Sequence, residues 1–480
     1  MAGENVILFE KYQAIYLMQK AREVFVEIAG QWFDEVVSRM AGKKPTLDEM
    51  TKVLFEMRYD LMGKMAEVLV THMGDEVLNQ QTMECPECGR ILKSRGNVDR
   101  HVETMIGKLT LCRPYFYCIT CSKGYYPADE FFELSEHRKQ WDMQQREVEL
   151  ATDVPFARAS ELFEKMTGLS FSDHSTHEIA AEVANGLTAV EVSPTAGEIE
   201  RIVDEIAKGK GRRPIVVLAI DGAHVPTRPE EAKAKRAGHT KERANRANWK
   251  GQWREAKGYR FYLIDNERIV HLISWHQVQT DEELEESLRQ IKQAGLIPDA
   301  KVRLAVIADG AKWIWRVARE LFPNARMVLD YYHCSEHLHK FASVQFAGDE
   351  ENKAEWVESI VTRLFVNEAE GVIESLQKME TTNEDAKEEL EKLVRYLINN
   401  RKRIDYGRNR KGGYPIGSGG IESANKYIGA IRLKRSGAWW YVGNANEMLA
   451  LRCAIYNGTY EKVFSSYKTR ALEAKRNHQP

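Results

Sequence analysis

The chain has 480 residues, 43% hydrophobic and 29% charged, with a formal net charge of −2. That length suits roughly two to four domains, and the composition is that of a folded soluble protein. No apolar stretch approaches the ~18 residues of a membrane span, and Met1-Ala-Gly-Glu-Asn lacks the basic-then-apolar pattern of a secretory signal, so a cytoplasmic protein without a membrane partner is expected.

Residues 5 to about 75 place apolar side chains at mixed three- and four-residue steps, which predicts a helical region over 1–80. Gly30 and Gly42 are candidate breaks, and Pro45-Thr-Leu-Asp-Glu marks a fresh helix start. Nothing in this region carries chemistry. It reads as a packing or oligomerisation element, with a DNA contact as the alternative.

Five of the seven cysteines fall between Cys85 and Cys121. Cys85-Pro-Glu-Cys88 and Cys118-Ile-Thr-Cys121 are two Cys-x-x-Cys knuckles separated by 29 residues. In a cytoplasmic chain that clustering points to a metal and not to disulfides. With the strand-like Val102–Met105 and Leu109–Tyr117 between them, the knuckles predict a zinc ribbon over 81–130, holding structural Zn²⁺ on four thiolates. A closed four-thiolate site has no open position for water, so catalysis is not expected there. Cys112 is the spare, expected as a small buried residue.

The stretch 131–195 reads as helix again. Ala157–Met166 and His174–Val183 flank a short turn with Gly168 and Ser172. This is a helix-turn-helix pattern or an ordinary helical hairpin, and the second helix is poor in Lys and Arg. Ser193-Pro-Thr-Ala-Gly197 reads as a linker.

From about residue 205 the periodicity changes. Strands are predicted at Ile215–Ile220, Tyr259–Ile264, Ile269–Trp275, Leu304–Ala308 and Met327–Leu329. Asp265-Asn266-Glu267 is a hairpin turn, and helices follow at about 280–294 and from Ala311. The order strand, hairpin, helix, strand, helix, strand is that of an RNase H-like α/β domain, here 205–335. A helical insertion over 336–410 separates it from the C-terminal helices of 411–480.

Two apolar strands end in the same dipeptide, Asp221-Gly222 and Asp309-Gly310. A carboxylate at a strand tip costs too much to hide in the core and should face a cleft. The glycine leaves backbone room beside it for an ion or a phosphate. A third acid, Glu422, lies in Gly417-Ser-Gly-Gly-Ile-Glu422-Ser-Ala-Asn425, where a glycine-rich loop opens a helix. Two strand-tip aspartates and a helix-borne glutamate form the set that two-metal phosphoryl transfer requires, with Mg²⁺ (or Mn²⁺) held by carboxylate oxygens. Lys426, one turn on, and Arg432, Lys434 and Arg435 would bind DNA phosphates.

Charge is segregated. Arg228–Arg260 holds 11 Lys/Arg against 4 Asp/Glu, and Arg401–Pro480 holds 16 against 5. Phe341–Asn400, between them, holds 6 against 14. The basic segments read as solvated surface or as a DNA-facing surface, the latter favoured by the segregation. Trp313, Trp315, Trp439 and Trp440 read as packing aromatics or as platforms for frayed bases.

In this order the motifs resemble bacterial insertion-sequence transposases of the acidic-triad type, most closely the ISKra group, over nearly the whole chain. The resemblance is carried by both cysteine knuckles, Ile220-Asp221-Gly222, Ala308-Asp309-Gly310, Leu329-Asp330-Tyr-Tyr-His333, Gly417–Ser423 and Arg435-Ser-Gly-Ala-Trp-Trp440. Through Asp330-x-x-His333 it extends to Mutator-type transposases. It implies that Asp221, Asp309 and Glu422 are the metal-binding catalytic triad. Asp330 and His333 would stay near the site; with His337 they would orient DNA, order the triad or bind an ion, or serve structurally. A second zinc site on His333, Cys334 or His337 is the minor alternative. The expected activity is cleavage at transposon ends followed by 3′-hydroxyl strand transfer into target DNA, on a homodimer or higher oligomer. The rivals are a stand-alone RNase H-like nuclease and a domesticated, non-enzymatic DNA-binding protein.

Overall fold

The computed structural model describes residues 2–229, 250–266 and 268–477. The chain divides into two compact units, Met1–Ile179 with Phe464–Pro480, and Ala180–Val463.

The first unit opens with α1 (Ala2–Met40) and α2 (Leu47–Met73), an antiparallel pair whose inner seam is Val36, Val53 and Met57 with Trp32 and Met40 against it. Thr46 caps α2 by accepting from the Glu49 amide, as its sequence start suggested. Gly30 does not break α1, since one mid-helix glycine costs only about 1 kcal/mol. The chain turns at Gly42 instead. After α3 (Asp75–Leu78) come β1 (Thr82–Glu84), β2 (Ile91–Thr104), β3 (Gly107–Cys118) and β4 (Lys123–Tyr125), an antiparallel sheet in sequence order. Then follow α4 (Pro127–Phe131), α5 (Trp141–Asp153), α6 (Phe156–Thr167) and α7 (Asp173–Ala184). Gly168 ends α6 in the left-handed region, and the Ser172 hydroxyl accepts from the Ser175 amide to start α7.

The second unit begins inside α7, and the predicted linker that follows is not loose. Ser193 is buried, and Thr195 and Glu198 form a reciprocal capping box on α8 (Ala196–Ala207). The sheet comprises β5 (Ile215–Thr227), β6 (Gln252–Asp265), β7 (Arg268–Val278), β8 (Arg303–Ala308) and β9 (Arg326–Leu329), in the order β7-β6-β5-β8-β9. β5 is antiparallel to β6 and parallel to β8, and β9 is parallel to β8. Ile215–Ile220 and Ala305–Ala308 are buried without alternation, as in strands covered on both faces. α9 (Asp281–Gln293) and α10 (Lys312–Leu321) link β7 to β8 and β8 to β9. The predicted hairpin turn carries Asn266 at φ 46°, while Glu267 lies outside the described residues.

After β9 the chain is helical: α11 (Tyr331–Gln345), α12 (Glu350–Phe365), α13 (Ala369–Gln377), α14 (Glu384–Asn400) and α15 (Tyr406–Lys411). α16 (Gly419–Ala424) runs without interruption into a π-helical turn, Asn425–Ala430, and α17 (Ile431–Leu433). α18 (Val442–Tyr456) packs on β7, and α19 (Tyr460–Asn477) closes the chain.

A buried polar network joins β7 to the end of α18. His271 donates from Nε2 to Asn457 Oδ1 (2.9 Å), while its Nδ1 accepts from Arg260 Nε (3.2 Å). The neutral tautomer satisfies both partners. Burial, aided by the Arg260 charge and only partly offset by the Asn457 bond, pushes His271 down to about 4. Its folded pKa lies below the ordinary value of about 6.5, so this stability is complete above pH ~6.5 and is lost as pH falls toward 4. The melting temperature should therefore drop across that window, and His271→Gln should flatten the drop in a pH series of thermal melts.

Candidate metal centres

The cysteine site follows from the hairpins. Each knuckle is the tight turn of an antiparallel pair, Cys85–Cys88 between β1 and β2 and Cys118–Cys121 between β3 and β4. The four sulfur atoms lie within 4.8 Å of one another, with Cys85–Cys121 at 3.9 Å and Cys88–Cys118 at 3.7 Å. Burial opposes ionisation of Cys85, yet amide bonds from Cys88 and Glu87 bring its thiol down to about 6. Four soft donors in a closed cluster fit a structural Zn²⁺. Cys112 is exposed and not buried as expected, because it takes the outward position of β3 opposite Asp99. Among the described residues this is the one group of three or more His, Cys, Asp or Glu drawn together so tightly. His333, Cys334 and His337 do not form a second such group.

The acids lie at the parallel edge of the second sheet. Asp221 is not the tip of its strand, as the sequence suggested. β5 continues to Thr227 because β6 pairs with it along its whole length. β8, however, leaves β5 after the pair Ala219–Ile307. Continuing that register puts Asp221 level with Asp309, the residue after β8. The pair Ala308–Leu329 puts Asp309 level with Asp330 in the same way. Three aspartates thus form one row where three parallel strands end or part. Burial, with the like charges of Asp309 and Asp330, raises Asp221 above the ordinary carboxyl range; the Gly222 amide and His333 counter it.

The three aspartates are held differently. Asp221 Oδ2 accepts from Asn425 Nδ2 (2.8 Å). Asp309 is exposed; its Oδ1 accepts from the Ala311 amide (2.9 Å), and its carbonyl from the Tyr396 hydroxyl (2.9 Å). Asp330 is fully buried, accepting from the amides of Tyr332 (2.7 Å) and Ser418 (2.9 Å). It is an anchor, whereas His333 is half-buried beside Glu336 at 3.4 Å. The room expected at Gly222 is already taken, since a Cβ there would fall 2.2 Å from Glu255 Oε1 of the neighbouring strand. Gly310 is needed for its backbone, at φ 107°.

Glu422 is exposed on the first turn of α16, which packs on β5 and β6. Glycine permits that approach: a Cβ on Gly420 would meet the Tyr262 ring at 2.6 Å, and one on Gly417 the Tyr332 ring at 2.7 Å. Beneath the helix, buried Arg260 donates to the Gly420 carbonyl and to Ser423 Oγ (2.9 Å). The π turn that follows supplies Asn425, and such turns recur at functional sites. Asp221, Asp309 and Glu422 do not all come within 4.8 Å of one another. Their donor chemistry, hard carboxylate oxygens with a partly buried Asp221 repelled by the exposed Asp309, fits a divalent cation such as Mg²⁺.

Lys426, Lys434 and Arg435 are exposed. Arg432 is not available to a phosphate: it is buried with its guanidinium over the Trp440 ring, and burial pushes it down to about 10. Trp315 is buried, while Trp313, Trp439 and Trp440 are half-buried. Trp440 pairs with Thr227 at the end of β5, and Trp439 lies against Trp253. This brings the basic segment around Lys434 to the tip of the β5–β6 ribbon. Much of the other basic segment, residues 230–249, lies outside the described residues.

A profile of the uncharacterised protein family UPF0236 matches residues 56–468. The chain belongs to UPF0236. The matched span encloses both knuckles, the aspartate row and Glu422. No curated protein matches the chain.

Sequence reasoning did not single out Asn425, Arg260, Glu255 or Tyr396. Asn425 was within sight, three residues after Glu422, but its hydrogen-bond partner is 204 residues away. Tyr396 belongs to α14 and carries no local signal.

Two outcomes are expected for this UPF0236 member. Metal analysis should find one zinc per chain, and Cys118→Ser should lose it together with thermal stability. Asp221→Asn should melt above wild type at neutral pH without divalent ions, because it removes a desolvated charge. Mg²⁺ or Mn²⁺ should then raise the wild-type melting temperature by several degrees, by about 2–4 °C per kcal/mol of binding linkage, and leave the variant unmoved.

Proposed function

We propose that the chain is a DNA transposase of the acidic-triad type, with an RNase H-like catalytic domain in the second unit. The observation that carries the reading is the shared level of Asp221 and Asp309 on adjacent parallel strands, with the Glu422 helix tied to the same level through Asn425 and Ser418. In this reading carboxylates from three distant stretches of chain act together, with the exposed Lys426, Lys434 and Arg435 further along the same segment as Glu422.

In this reading Asp221 and Asp309 hold divalent metal, and Glu422 is the third ligand. Mg²⁺, when bound, supplies charge relief on the phosphorus and activation of the attacking oxygen. Asn425 fixes the Asp221 carboxylate, and Arg260 fixes the helix turn that carries Glu422. Lys426, Lys434, Arg435 and the β5–β6 ribbon lie along the DNA backbone and neutralise phosphates. In the first step water adds to a phosphodiester at the element's end and the 3′-oxygen leaves as a 3′-hydroxyl. In the second, that hydroxyl attacks a target phosphodiester and displaces the target's own 3′-oxygen. The zinc ribbon and the helices before residue 195 would recognise the ends.

The test uses DNA spanning the borders of the chain's own genetic element, a target plasmid and Mg²⁺. Cleavage and joined product are expected. Asp221→Asn, Asp309→Asn and Glu422→Gln should each reduce both by about 10³-fold or more, the scale of a lost catalytic group, while DNA binding persists. Cleavage without joining would identify a nuclease. Binding with no cleavage would leave a non-enzymatic DNA-binding protein.

A further inference from the structure

The α1–α2 pair is apolar on its outside as well as along its seam. Among the described residues, 13 of the 25 exposed large hydrophobic side chains lie between Tyr16 and Met73. On α1, Val26, Phe33 and Val37 are 61%, 61% and 54% exposed. On α2, Met62, Leu69 and Met73 are 38%, 37% and 64% exposed. Both sets follow the same spacing, i, i+7 and i+11, which is the d, d, a of a heptad. A two-helix hairpin cannot cover two such seams by itself, whereas two hairpins face to face bury them in a four-helix bundle.

The occupant follows from area and charge. The six seam side chains alone present on the order of 500 Å² of the roughly 800 Å² that each partner contributes to a stable interface, and the stems flanking the two seams supply the rest. Residues 16–73 hold 8 Lys/Arg and 9 Asp/Glu, a balance that suits neither a polyanion nor a strongly charged protein but can complement itself across a two-fold axis.

We infer that the chain forms a two-fold dimer through its N-terminal helical hairpin, two copies packing as a four-helix bundle. This does not rest on the proposed DNA chemistry. The test is the mass of the full-length, zinc-loaded chain without DNA, measured by light scattering on a sizing column across micromolar concentrations. The expected mass is twice that of the 55.1 kDa chain. The double variant Val26→Glu/Phe33→Glu, and independently Met62→Glu/Leu69→Lys, should run at monomer mass with unchanged near-UV circular dichroism and zinc content. These positions are exposed in the single chain, so the monomer fold tolerates them. If one pair unfolds, the other decides. A wild type that is monomeric throughout, or folded variants that keep the wild-type mass, would overturn the assignment.

Discussion

One buried carboxyl group organises the second unit. Asp330 ends β9, starts α11 by accepting from the Tyr332 amide, and holds the glycine-rich loop by accepting from the Ser418 amide. Tyr331 reinforces the junction by donating from its amide to the Ile416 carbonyl. A carboxyl group stripped of water must be matched by donors, and backbone N–H groups are donors that cannot swing away. The consequence is geometric. The loop leading to Glu422 is fixed against the sheet edge that carries Asp221 and Asp309, although 88 residues separate Asp330 from Ser418.

The two candidate metal centres reach order by opposite routes. The cysteine quartet is local: two hairpin turns in one small sheet aim four thiols inward, and every ligand lies within a span of 37 residues, 85–121. The carboxylate row is assembled by the sheet itself, from strands that part at different points. It is therefore a site under electrostatic tension, with burial and like charge both raising Asp221. Arg260, buried beneath the Glu422 helix, supplies positive charge where the helix needs an anchor, while the exposed cations lie further along the same chain.

The acidic helices after β9 are not a passive spacer. Tyr396 of α14 bonds the Asp309 carbonyl and stacks on His337 with ring centroids 4.0 Å apart. α14 thereby buttresses the loop after β8. Phe341–Asn400 carries a surplus of carboxylates, whereas among the described residues Arg228, Lys250 and Arg254 flank or lie on the β5–β6 ribbon.

Much was legible in the sequence because the relevant physics is local. Paired Cys-x-x-Cys spacing fixes a turn and a donor set. Unbroken apolar runs define the buried strands, and Thr280-Asp-Glu-Glu283 starts α9. What the sequence could not decide were properties of register and burial. Asp221 reads as a strand tip, but the strand ends only where its partner β6 ends, and that is a pairing fact. Arg432 reads as a phosphate ligand and Cys112 as a core residue, yet the face each one takes depends on neighbours far along the chain. Asn425, Arg260 and Tyr396 meet the acids and the Glu422 helix through partners more than 80 residues away. Sequence by itself determined which chemistries the chain possesses, because residue type and short spacing are covalent facts. Tertiary structure alone decided which of those groups share a level, since hydrogen-bond register and packing, not proximity in sequence, bring carboxylates together.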